Sequence, residues 1–354
     1  MPQHIYEDCV ALLQSLIRIP SFSKEEDLTA GLLENFLQTR GVSVHRYLNN
    51  VWAGNRHFDP AKPTLLLNSH HDTVRPNPQY TRDPFEPGID SERLYGLGSN
   101  DAGGCLVALL GAFLHFYEGR ELKYNLVVAA TAEEEISGRN GVEALLPLLP
   151  PIAAAIVGEP TRMNLAVAEK GLMVLDGVAH GRAGHAAREE GENALYKALD
   201  DIAWFRSFRF ERESAWLGPV KMSVTVIETE NKAHNVVPAV CRFTVDVRVT
   251  DAYTHEEVLD IIRAHVSSEV RPRSMRMRAT RIDDRHPLVL AGLALGRAPY
   301  GSPTSSDKAL MPFPALKCGP GDSARSHTAD EFIGLEEIRE GLDGYIHLLE
   351  AVIK

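Results

Sequence analysis

The run TLLLNSH, residues 64–70, carries three consecutive leucines and no acidic or basic group until its final histidine. A strand with one face in water alternates apolar and polar side chains. A short continuous apolar run fits a strand covered on both faces, as in a parallel sheet packed between helices. The flanking segments agree. HIYEDCVALLQSLIRI (4–19) and SKEEDLTAGLLENFLQTRG (23–41) have the apolar spacing of helices. In the second, Ser23 and Glu26 match a capping box and Gly41 marks the stop. Downstream, GGCLVALLGAFLHF (103–116) is predicted helical, and YNLVVAA (124–130) and IAAAIVG (152–158) are predicted strands. Apolar strands alternating with helices predict an α/β fold with a mostly parallel central sheet flanked by helices.

From about Lys170 the pattern changes. GLMVLDGVAHG (171–181), VKMSVTVIE (220–228), VCRFTVDVRV (240–249) and SMRMRATRI (274–282) alternate as half-buried strands do, and 192–208 and 254–266 are helical. The order β-α-β-β-α-β predicts an inserted ferredoxin-like α+β domain over 169–282. It divides the α/β domain into 1–168 and 283–354. The second part resumes with HPLVLAGLALG (286–296) and ALKCGPG (315–321) and closes on an amphipathic helix at 335–353.

The net charge is −11, which argues against nucleic acid and anionic membrane as partners. The longest apolar run, at 105–116, is too short to span a bilayer. Cys9, Cys105, Cys241 and Cys318 are scattered, with no C-x-x-C pair. Together with an amino terminus lacking a basic segment before an apolar one, they lead us to expect reduced thiols and a cytoplasmic location.

Residues suited to chemistry collect where predicted strands end. NSHHDTV gives His70, His71 and Asp72, GLGSNDAGG gives Asp101, TAEEE gives Glu133, Glu134 and Glu135, VGEPT gives Glu159, and SARSHTADE gives His327. Singly, each reads as a helix cap, a turn or a solvated charge. Jointly they stand at the sheet edge where α/β proteins bind ligands. Imidazoles and carboxylates suit two divalent cations, zinc or cobalt, and cation charge makes adjacent glutamates tolerable. His70 and Asp72, two apart on an extended segment, face one side, so Asp72 orients the ring; this spacing selects His70 over His71. Glu135 is then a ligand, and its neighbour Glu134 is free to move protons as a general base.

In order, H-x-D, the glycine-rich N-D turn, T-x-E-E-E, G-E-P-T, an inserted domain, G-P-G and S-H-T resemble the di-zinc aminoacylase/carboxypeptidase family, which includes acetylornithine deacetylase and succinyl-diaminopimelate desuccinylase. The likeness covers nearly the whole chain. It implies His70 and Glu159 on one metal, Glu135 and His327 on the other, Asp101 bridging them, Glu134 as proton shuttle, and a cis bond after Asp101. The inserted domain then resembles a dimerisation or lid domain. GRAGHAA places His185 where the family reaches into the partner's active site, and HNVVP and DVRV place Asn235 and Arg248 where it grips a substrate carboxylate. The implied activity is removal of the acyl group from an N-acyl amino acid, foremost N2-acetylornithine to ornithine and acetate in arginine biosynthesis, by a homodimer. N-succinylornithine, N-acetylcitrulline or N-succinyl-diaminopimelate deacylation and dipeptide cleavage are the alternatives. A silent scaffolding relative would lack a ligand or the base, and neither is missing.

Overall fold

The computed structural model describes residues 3–188 and 190–354, so Met1, Pro2 and Glu189 lie outside the described residues. The chain divides into two compact units. One comprises Met1–Val167, Ile282–Tyr300 and Ser306–Lys354; the other comprises Ala168–Arg281 and Gly301–Ser305. The placement of Gly301–Ser305 in the second unit is the part of this division that the sequence pattern does not announce.

In the first unit the strand Thr64–His70 is buried at every position. It pairs in parallel with Asn125–Thr131 on one side and Ile152–Val157 on the other, and Ala315–Lys317 continues the parallel set beyond Ile152–Val157. Antiparallel strands extend the sheet, including Asn50–Gly54 and Val44–Tyr47 at one edge. The sheet is therefore parallel at its centre and antiparallel at its margins. Leu66 packs with Val127, Ala155 and Leu145 on one face. Neighbouring Leu65 and Leu67, which point the opposite way, are also buried. That double burial is why the run is continuously apolar.

Helix Gly104–Phe116 is buried almost all round and packs against the strand Thr64–His70 and the helices Gln3–Ile17 and Leu335–Ile353. Gly111 permits that approach, since a Cβ there would stand 2.7 Å from Cys9 Sγ and 2.9 Å from Leu342 Cδ1. The four cysteines are buried free thiols. Among the described residues no helix is long and apolar enough to cross a membrane.

The second helix does not use the predicted capping box. It runs Asp27–Gln38 behind Glu26, with no side-chain cap. Ser23 Oγ instead donates to Asp72 Oδ2 at 2.6 Å, and Glu26 Oε1 accepts the backbone N–H of Lys24. Long-range partners outcompete the local cap.

The second unit has four antiparallel strands in the spatial order Lys221–Thr229, Val240–Val249, Gly171–His180, Glu269–Pro272. With helices Ala194–Ser207 and His255–His265 between them in sequence, this is the ferredoxin-like arrangement. Helix His255–His265 is opened by a capping box of Thr254 and Glu257. Phe205, Phe243, Val245, Val258 and Ile262 lie in its core. The fourth strand is a correction: it is EVRP, 269–272, whereas of SMRMRATRI only Thr280–Arg281 is a strand, paired outside this sheet. Alternation of Met and Arg matches a strand pattern, but the ladder to Val178–Leu175 is filled by the segment that leaves the preceding helix directly.

Candidate metal centre

Register builds the site. His70 pairs with Thr131 and Asn68 with Val157, so the three parallel strands end within two residues of one another and release Asp72, Glu134 and Glu159 at one edge. Beyond Thr131 the chain turns sharply: Glu133 and Ser137 hold left-handed backbone on either side of the short 3-10 turn Glu134–Ile136. Asp101 lies in the turn Ser99–Gly103, entered through Gly98 at φ 74°, a conformation glycine adopts without strain. The Asp101–Ala102 peptide is cis.

Two groups of ligand-type atoms result. His70, Asp101 and Glu159 form one, and Asp101, Glu135 and His327 the other; in each, the atoms lie within 4.8 Å of one another and Asp101 belongs to both. His70 Nε2 stands 3.3 Å from Asp101 Oδ1, 3.7 Å from Glu159 Oε1 and 3.9 Å from Glu134 Oε2. His327 Nε2 stands 3.0 Å from Glu135 Oε2 and 3.8 Å from Asp101 Oδ2.

His70 Nδ1 donates to the Asp72 carbonyl at 3.0 Å. In the neutral ring that leaves a lone pair on Nε2, which is buried, faces the carboxylates and makes no hydrogen bond. A buried acceptor aimed at acceptors has no good protein partner; in the metal-free chain a proton facing Asp101 meets that need, and a cation would take its place. His71, by contrast, is occupied at both nitrogens, by Thr29 Oγ1 at 2.9 Å and the Asn49 carbonyl at 2.8 Å. Burial lowers its pKa to about 4, so it is a neutral structural ring.

The electrostatics show what the protein alone must do with so many carboxylates. Burial raises Glu159 to about 8, with Lys317 opposing and Asp101 adding to the rise. Burial likewise pushes Glu134 well above its ordinary value and Glu135 upward. The Glu135 hydrogen bond raises His327 to about 9. Burial works against a charged His70, but Asp101 and Asp72 outweigh it and raise its pKa. Without cations, protons neutralise the cluster; divalent ions replace them.

Asp72 organises this corner. Its Oδ1 accepts the backbone N–H of Glu134 at 3.0 Å and its Oδ2 that of Glu135 at 3.2 Å. Three further buried carboxylates have partners that sequence reading misses, Glu26 being given only a capping role there. Glu26 accepts Glu133 N–H and Asn49 Nδ2; Asp307 accepts Asn68 Nδ2 and Thr131 Oγ1; Glu331 accepts three backbone N–H groups of the Asp101 turn. Each is an ordinary polar residue in sequence, and only packing reveals its partners.

His185, Asn235 and Arg248 belong to the second unit. His185 sits on the short strand Gly184–His185 paired with Val236–Val237, and Ala186 N–H donates to the Asn235 carbonyl, so His185 and Asn235 are neighbours and both are exposed. Arg248 is held by Asp246 in a bidentate pair at 2.8 and 3.0 Å. In the loop 301–310, Ser305 Oγ is bound to the Lys170 carbonyl.

A parallel-centred α/β sheet here carries, at its strand ends, paired histidine–carboxylate groups of the kind that hold two divalent cations for hydrolytic chemistry. Residues 66–351 match the peptidase family M20/M25/M40, and the chain belongs to it. It is 28% identical over 277 residues to succinyl-diaminopimelate desuccinylase 2 of Ruegeria sp. (strain TM1040), covering 73% of this chain and 69% of that one. It is 29% identical over 282 residues to the succinyl-diaminopimelate desuccinylase of Dinoroseobacter shibae, covering 74% and 73%. The crystal structure of the Bacillus subtilis YXEP protein, a dinuclear metal-binding peptidase, shares the fold with a TM-score of 0.74 over 99% of this chain and 98% of that one, at 15% identity. The residue groups here fit two divalent metal ions, zinc or cobalt.

Proposed function

We propose that the chain removes the acyl group from an N-acyl amino acid, with His70 and Glu159 holding one cation, Glu135 and His327 the other, and Asp101 bridging them. The observation that carries this reading is the orphaned Nε2 of His70, with Asp101 and Glu159 carboxylate oxygens at 3.3 and 3.7 Å. Bound cations supply Lewis acidity toward water and the scissile carbonyl. Glu134 is the general base. One of its carboxylate oxygens takes a proton from the attacking water, whose oxygen adds to the acyl carbon. The same group returns that proton to the amine nitrogen as the C–N bond breaks. Its raised pKa suits a carboxyl that must hold a proton between the two transfers. Asp72 keeps His70 and the Glu134 backbone in place throughout.

Two acyl groups compete. The desuccinylase relatives favour an N-succinyl amino acid such as N-succinyl-diaminopimelate. The resemblance read from the sequence puts N2-acetylornithine first, although the motifs themselves are common to both kinds of enzyme. Amine release by the zinc- or cobalt-loaded protein, measured side by side on N-succinyl-diaminopimelate, N2-succinylornithine and N2-acetylornithine, decides between them. Cleavage of none of these removes the deacylase reading.

The same reading takes the protein as a homodimer assembled through the second unit, with His185 of the partner subunit donating to the developing oxyanion. Asn235 and Arg248 then bind the substrate carboxylate, the guanidinium exchanging its Asp246 partner for the ligand. Support comes from the outer strand Lys221–Thr229, whose Val226 and Ile227 are 49% and 44% exposed. Mixing His185→Ala with Glu134→Ala protein restores activity if the site is composite. No recovery after demonstrated subunit exchange rejects the sharing.

A further inference from the structure

We propose that Glu331 is a positioning residue for the metal centre, holding the turn that carries Asp101 in register with the segment that carries His327. This rests on the metal assignment above. The Glu331 side chain is buried at 2% exposure. Its Oε1 accepts the backbone N–H groups of Asn100 at 2.8 Å and Asp101 at 2.9 Å, and its Oε2 accepts that of Gly98 at 3.1 Å. Its main-chain carbonyl also accepts the N–H of Gly96 at 3.0 Å. Both carboxylate oxygens are thus engaged by main-chain donors. Glu331 acts through the turn and not as a ligand itself.

Glu331 stands four residues beyond His327, and the backbone between them is tightly shaped, with His327 and Asp330 at φ 60° and 53°. Asp330 grips a different loop, accepting the N–H groups of Thr81 at 2.9 Å and Arg82 at 3.0 Å. One short segment therefore supplies a ligand of the second cluster and the anchor for the ligand common to both. Metal affinity depends steeply on ligand placement, and loss of an outer partner costs about 10- to 100-fold. Because Asp101 belongs to both groups, releasing its turn weakens both ions together.

The test is zinc titration of metal-free wild type, Glu331→Ala and Glu331→Gln against a chromophoric chelator. It is accompanied by the cobalt absorption spectrum and by thermal unfolding of the metal-free proteins. Glu331→Ala is expected to bind both zinc ions about 10-fold or more weaker, with an altered cobalt spectrum. Glu331→Gln, which keeps an acceptor for Asn100 and Asp101 but opposes the Gly98 donor, is expected to fall between Ala and wild type. Wild-type affinity and spectrum in both variants, or in Glu331→Gln alone should the Ala variant not fold, overturn the inference. A wild type that takes up no zinc overturns the metal assignment itself, which keeps the two failures distinct.

Discussion

Asp72 Oδ1 accepts the backbone N–H of Glu134 at 3.0 Å and stands 3.5 Å from His70 Nδ1, so one carboxylate holds the proposed base and flanks the imidazole that the Asp72 carbonyl orients. Ser23 Oγ, at 2.6 Å, completes the coordination of that carboxylate. Asp72→Asn keeps the size but replaces one acceptor oxygen by an NH2 that faces an N–H donor. It is expected to weaken zinc about 10- to 100-fold and to lower turnover of metal-saturated protein as well, because the Glu134 turn shifts. Titration and kcat at saturating zinc check this. A variant whose activity returns fully with added zinc would leave Asp72 with the imidazole alone.

Glu134→Gln removes a proton carrier while leaving the proposed ligands untouched. We expect both metals to be retained and kcat to fall about 10²- to 10⁴-fold, with KM little changed. Metal analysis and steady-state kinetics on one preparation check it, and near-normal turnover would exclude this base.

Protons and metal compete for the cluster, and the sign follows from the pKa directions. Glu159 is raised from 4.5 to about 8 and His327 from 6.5 to about 9 in the metal-free chain. Between each pair of values the folded state holds more protons than the unfolded state. The metal-free protein therefore loses stability as pH rises from about 5 to 9. Ligands bind metal deprotonated, so zinc affinity is expected to rise with pH from 6 to about 8, with proton release visible in buffers of different ionisation enthalpy. Thermal melts with and without zinc and calorimetry test both halves. A pH-independent affinity would contradict the assignment of these groups.

Gly111→Leu pushes a side chain between the helices Gln3–Ile17, Gly104–Phe116 and Leu335–Ile353, where Cys9 and Leu342 already stand within 3 Å of the place its Cβ would take. Destabilisation of about 1–3 kcal/mol or more is expected in chemical denaturation, since a packed core yields little.

How much of this was legible beforehand varies by residue. Leu65, Leu66 and Leu67 announce a doubly covered strand because burial on both faces demands an unbroken apolar run. The β-α-β-β-α-β order of the second unit was legible from alternation, although SMRMRATRI was the wrong candidate for its last strand. The antiparallel margins of the first sheet were not legible, because pairing direction leaves no mark on a short strand's composition.

The sequence by itself determined the alternation of buried strands and helices, the inserted unit, and the placing of histidines and carboxylates just past strand ends. These follow from local periodicity and residue chemistry. Tertiary structure alone decided that Ser23 serves Asp72 and not a helix cap, that His71 is fully hydrogen-bonded while His70 Nε2 is orphaned, and that Glu331 anchors a turn some 230 residues earlier in the chain. Those choices are competitions among distant donors and acceptors for the same buried space, and no spacing along the chain records who wins.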